Sequence, residues 1–135
     1  MASVWINGEW LPAETASLLI SDLSIQRGYG IFDFFKLVNG KPVFLDDHLD
    51  RFYRSAEAMH LHPGIERPEL VRVIDEMTAR NQLADAGIKL TLTGGYSADG
   101  YSLARPNLII NSSHLQLERS MSSGTCSGSS GGARN

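Results

Sequence analysis

Cysteine is nearly absent from this sequence, one in 135 residues. No internal disulfide framework can therefore brace the fold, and the scarcity favours a reducing, cytoplasmic setting. An excess of positive charge is absent too. Twelve Lys and Arg stand against fifteen Asp and Glu, a net charge of −3. That balance argues against general binding to nucleic acid or to an anionic membrane surface. No run is long and apolar enough to cross a bilayer. The opening, MASVWINGEW, has neither the basic region nor the apolar stretch of a signal peptide. The histidines follow no HExxH or Cys/His spacing, so no metal-ligand set is expected.

What is present reads as globular. Hydrophobic residues make up 42% of the chain and charged residues 20%, enough for one domain with its own core. That domain is expected over residues 1–117. From 118 to 135 the sequence turns Gly/Ser-rich and loses periodicity, as a disordered tail of non-native character would.

The informative stretch is QRGYGIFDFFKLVNGKPVFLDDHLDR, Gln26 to Arg51. It opens with a glycine-punctuated bend, Gln26 to Gly30. Asn39-Gly40 then suits a type I′ turn, which predicts a hairpin from Ile31 to Leu45. Asp46 or Asp47 is placed to cap a helix over Asp47–Leu61. Leu49, Phe52, Tyr53, Ala56 and Met59 form its apolar face.

Elsewhere, Asn7-Gly8 predicts a first hairpin, with Trp5 and Trp10 as packing residues. Pro68 suits the start of a second helix, Pro68–Gln82, with Leu70, Val73, Ile74 and Met77 inward. Ile88–Thr93 and Asn107–Asn111 read as strands. Between them, Gly94 to Tyr101 reads as a loop. The architecture expected is α+β: a small antiparallel sheet with strands near Trp5, Phe34, Phe44, Leu90 and Ile109, and two helices on one face.

The order Q-x-G-x-G-I-F, strand, N-G, strand, H-L-x-R-F resembles the N-terminal domain of the class IV aminotransferases, the fold-type IV enzymes of pyridoxal 5′-phosphate (PLP). The family includes branched-chain and D-amino-acid aminotransferases and aminodeoxychorismate lyase. The resemblance implies that Arg51 of His48-Leu49-Asp50-Arg51 reaches the cofactor phosphate. A guanidinium fork suits a phosphate dianion. Without that context Arg51 reads as a helix-surface residue paired with Asp47 one turn back; with it, Arg51→Ala is expected to alter the stability of this chain little and to weaken PLP binding once a second domain is present. The resemblance also puts Phe32 in the substrate-side wall and Tyr101 in the substrate loop. His48 is expected to be a structural hydrogen-bonding residue. His60 and His62 are given no role.

Two departures bear on function. Related loops carry arginines where this chain has Gly94 and Asp99, so recognition of a second carboxylate is not expected here. PLP enzymes also need a Schiff-base lysine, which in the family lies downstream in a second domain. Lys36, Lys41 and Lys89 are the only lysines, and none matches that position. No catalytic residue is therefore assigned, and the chain alone is expected to be inactive.

The resemblance implies transfer of an amino group between an amino acid, branched-chain among the candidates, and a 2-oxo acid, by a homodimer. The alternatives are the lyase of the same superfamily, or a binding or dimerisation domain without catalysis.

Overall fold

A computed structural model describes residues 2–114. The tail expected over 118–135 lies outside the described residues. Strands β1 (Ser3–Ile6) and β2 (Glu9–Pro12) form the first hairpin. A one-turn helix, α1 (Leu23–Gln26), leads to the long strand β3 (Gly30–Val38). After it come β4 (Lys41–Pro42), α2 (Leu45–Ala58), α3 (Arg67–Arg80), β5 (Ala86–Thr93) and β6 (Leu108–His114). The strands make one sheet in the order β2-β1-β6-β5-β3-β4, antiparallel throughout.

Both Asn-Gly pairs turn as expected. Asn7 and Gly8 have φ of 51° and 98°, Asn39 and Gly40 of 53° and 75°. The left-handed backbone of both central residues is what a type I′ turn requires.

The second hairpin is shorter than the sequence predicts. β4 stops at Pro42, opposite Leu37 and Val38, with one further bond from the Val43 amide to the Lys36 carbonyl at 2.9 Å. Phe44 is not in a strand: its backbone is left-handed at φ 58° and its side chain is exposed. That residue swings the chain directly into α2. Phe44 also takes the N-cap position, with no side-chain hydrogen bond, so neither Asp46 nor Asp47 caps the helix. Both lie in its first turn, where a carboxylate still favours the positive end of the helix dipole.

The inner face of the sheet meets α2 and α3. Trp5, Phe35, Leu37, Ile88, Leu90, Leu92 and Ile110 pack there against Leu49, Phe52 and Ala56 of α2 and Leu70, Val73, Ile74 and Met77 of α3. Each fully buried side chain of this size contributes about 1.5–3 kcal/mol. Neither α2 nor α3 covers the outer face, where among the described residues only the short α1 approaches, at the Gly30–Thr93 end. Phe32, Phe34, Lys36 and Val38 alternate outward along β3 and remain exposed. The Phe34 ring lies over Gly87, where a Cβ would come within 2.3 Å of the ring.

Candidate functional site

Strand β3 turns Ile31, Asp33, Phe35 and Leu37 toward the helices. Asp33 is the one charged member of that row and is 3% exposed. A buried carboxylate is costly unless paired and hydrogen-bonded. Helix α2 supplies the partners from positions three residues apart, hence from one helix face. Arg51 donates from Nε to Asp33 Oδ2 at 2.9 Å and from Nη2 to Oδ1 at 2.7 Å. His48 Nδ1 lies 2.8 Å from Oδ1. An ionised carboxylate only accepts, so this contact places the proton on Nδ1. The 3.1 Å approach of Arg51 Nη2 to the same nitrogen is then a contact between donors, not a hydrogen bond. The His48 ring is tilted against Phe35, with centroids 5.8 Å apart.

Burial pushes the Asp33 carboxyl up, but the hydrogen bonds from Arg51 and His48, with their charge, hold it below the usual carboxylate range. The Arg51 guanidinium is raised in return, chiefly by its hydrogen bond to Asp33. The two partners differ in exposure: the Arg51 side chain is 58% exposed, that of Asp33 2%. Among the described residues Arg51 Nη1 makes no hydrogen bond. Asp33 thus grips one edge of the fork and leaves the other to solvent.

These contacts correct the expectation for Arg51 in isolation. Its partner is Asp33, not Asp47, and its loss would strip a buried carboxylate of two hydrogen bonds. His48 is the hydrogen-bonding residue it was expected to be. Asp33 was not singled out in the sequence. The available signal was an acidic residue in phase with Phe35 and Leu37 on the inward face of a strand.

Phe32 precedes Asp33 and points to the opposite, open face, 66% exposed. Lys89 Nζ sits 4.7 Å from its ring centroid. From Gly30 to Phe35, β3 pairs with β5 on one side, and no strand among the described residues pairs with the other. Arg51 and Phe32 therefore flank one open strand edge, from the helix side and the open side respectively.

Tyr101 lies apart. No hydrogen bond or ring contact joins it to Arg51 or Phe32 among the described residues. Its carbonyl accepts from Arg27 Nη1 at 2.9 Å, and the Arg27 guanidinium lies 5.6 Å from the Tyr101 ring centroid and 5.7 Å from that of Tyr29. Arg27 was not singled out either. It brings a cation to the loop that carries Gly94 and Asp99.

Asp99 folds that loop. Its Oδ1 accepts from Ser97 Oγ and from the Tyr101 and Ser102 amides, and its Oδ2 from Ser102 Oγ. Those bonds, the Ser102 amide first, hold its carboxyl far below the usual range. The loop base is anchored by Asp22, which is fully buried. Asp22 accepts from the Ser24 amide at 2.8 Å, Thr93 Oγ1 at 2.7 Å and Asn107 Nδ2 at 2.7 Å. Gly95, at φ 88°, lets the two ends of the loop cross, since a Cβ there would meet the Arg105 carbonyl at 2.2 Å.

An α+β domain with a cation pinned beside an open strand edge is the class of object these features define. The model for amino-transferase class IV matches residues 30–130, and the chain belongs to that family. It is similar to a D-alanine aminotransferase of Staphylococcus haemolyticus, 30% identical over 108 residues, covering 80% of this chain and 38% of the relative. An aminodeoxychorismate lyase of Bacillus subtilis is 26% identical over 100 residues, covering 73% of this chain and 34% of the lyase. Among solved structures, a branched-chain aminotransferase of Thermoproteus uzoniensis with norvaline superposes with a TM-score of 0.73 at 24% identity, covering 85% of this chain and 41% of that one. The chain thus spans about two fifths of the length of these proteins.

Proposed function

We propose that this domain forms the phosphate-side and substrate-side walls of a PLP-dependent class IV aminotransferase. The observation that carries the reading is the Arg51 fork, held on one edge by Asp33 and open on the other. An exposed guanidinium edge at an unpaired strand fits the phosphate dianion of PLP. PLP, when bound, supplies the electron sink for moving an amino group between carbon skeletons. Arg51 would hold its phosphate, Phe32 would exclude water on the substrate side, and Tyr101 would close the substrate loop.

Lys36, Lys89 and Lys41 belong to the open face of the sheet, opposite Asp33. None is offered on the Arg51 side, so the amine that PLP chemistry needs is assigned to a part of the protein outside this chain. Association as a homodimer and a cytoplasmic setting belong to the same reading. The substrates proposed are a 2-oxo acid and an amino acid of the D-alanine or branched-chain class. The similarity to aminodeoxychorismate lyase supports a second reading, release of 4-aminobenzoate at the same site.

The test is turnover of D-alanine, leucine and valine with 2-oxoglutarate, beside release of 4-aminobenzoate from aminodeoxychorismate, by the protein's full chain and by this 135-residue chain. Transamination by the full chain alone, with the shorter chain no faster than free PLP, is expected. Lyase activity without transamination would establish the second reading. Turnover by the 135-residue chain clearly above free PLP would overturn the assignment of the amine.

A further inference from the structure

We infer that Asp33 is a positioning residue for phosphate recognition, acting through Arg51. This rests on the reading that Arg51 meets the phosphate of PLP.

Packing alone does not call for a carboxylate at this point. Asp33 sits among Ile31, Phe35 and Leu37 on a face that is otherwise apolar. A buried ion pair is often no more stabilising than well-packed apolar side chains of similar volume. What the carboxylate does provide is geometry. An arginine side chain carries considerable rotamer entropy when free. Here two of its three guanidinium nitrogens, Nε and Nη2, are bound to one carboxylate at 2.9 and 2.7 Å. That carboxylate is itself held by His48 Nδ1. The plane of the fork is therefore set before any ligand arrives, with Nη1 outward. A ligand phosphate meets a pre-oriented donor and has less disorder to remove on binding.

Simple charge counting predicts the opposite behaviour. Asp33 carries a negative charge next to the proposed phosphate site, and neutralising it should strengthen the binding of a dianion. Positioning predicts that neutralising it weakens binding. The sign of one substitution separates the two.

The experiment compares PLP with pyridoxal, which lacks the phosphate, by equilibrium binding to the protein's full chain. Wild type is expected to prefer PLP. Arg51→Gln should abolish the preference. Asp33→Asn should lower it by roughly tenfold, one charged hydrogen bond's worth, while pyridoxal affinity stays unchanged. If Asp33→Asn keeps or raises the preference while Arg51→Gln removes it, the phosphate reading stands and the positioning role is overturned. If wild type shows no preference, or Arg51→Gln leaves it intact, the phosphate reading falls and takes this role with it. A second measurement needs no variant. In the ligand-free protein the Arg51 Nε–H should be as ordered by NMR relaxation as the β3 backbone. An Arg51 side chain mobile on the nanosecond timescale would overturn the proposal even if Asp33→Asn does not fold.

Discussion

The domain buries two aspartates and treats them in opposite ways. Asp22 is fully enclosed and satisfied by neutral donors: an amide, a hydroxyl and a carboxamide. Asp33 is almost as deeply buried but is satisfied by a histidine and a half-exposed arginine. Asp22 ties together segments 71 and 85 residues away, and none of its partners presents a charge outward. Asp33 hands its charge interaction to a cation at the surface. The first arrangement closes a structure. The second keeps one edge of a guanidinium open to solvent. Depth of burial alone would not have told them apart; the charge and exposure of the partners do.

The largest test of that contrast is Asp22→Ala. It leaves the Ser24 amide, the Thr93 hydroxyl and the Asn107 carboxamide without their acceptor. Each orphaned buried donor costs about 1–3 kcal/mol. A total loss of roughly 3–5 kcal/mol is expected, a large share of a small domain's stability. Urea unfolding measures it. A loss of ~1 kcal/mol would mean that water or a shifted loop satisfies those donors, and Asp22 would not close the structure.

Asp33→Asn should cost less, about 1–2 kcal/mol. The carboxamide keeps the shape and one acceptor, and the released Arg51 can rehydrate because it is already half-exposed. A loss as large as that of Asp22→Ala would make Asp33 a second structural hub and remove the contrast. Apolar periodicity could not have ranked these two residues. It did locate the inward faces of α2 and α3, because every third or fourth residue repeats the signal. Both Asn-Gly turns were legible as well, because left-handed backbone has a local chemical signature. The partner of Arg51 was not, since it lies 18 residues away on β3 and is defined only once sheet and helix meet. The Arg27–Tyr101 contact spans 74 residues and was hidden for the same reason. Sequence pattern places Phe44 in a strand because a bulky residue carries no hint of left-handed backbone; tertiary context imposes it.

Acid and salt should separate the two aspartates further. Both carboxyls sit below their ordinary range in the folded protein, each against an opposing push from burial. The folded state therefore binds protons less readily than the unfolded chain. The stability this confers is present above the ordinary carboxylate pKa of about 4. It is lost as pH falls through the lower folded values. Below about pH 4 both groups contribute to acid unfolding. Salt should act on one alone. The Asp33–Arg51 pair is partly exposed and screened, whereas the buried bonds that neutral donors make to the Asp22 carboxylate are not. At neutral pH, Asp33→Asn should reduce the salt dependence of stability and Asp22→Ala should leave it unchanged. Equal salt slopes for both variants would show that the exposure of Arg51 makes no difference.

The smallest effect is expected at Asp99, a third aspartate that shares neither burial nor a cationic partner. Among the described residues its carboxylate accepts only from groups within residues 97–102, so it organises a loop rather than joining distant segments. Nothing in the core depends on it. Asp99→Ala should leave the melting temperature of the domain within error. It should nonetheless release the Tyr101 and Ser102 amides, whose exchange with solvent should accelerate several-fold as the loop opens locally. Asp99→Asn retains a side-chain carbonyl that can accept from both amides and should fall between. If Asp99→Ala instead lowers the melting temperature as Asp33→Asn does, the loop is part of the cooperative core. If neither amide accelerates, the Arg27 bond to the Tyr101 carbonyl alone holds the loop, and the cation from the bend, not the aspartate, sets the position of Tyr101.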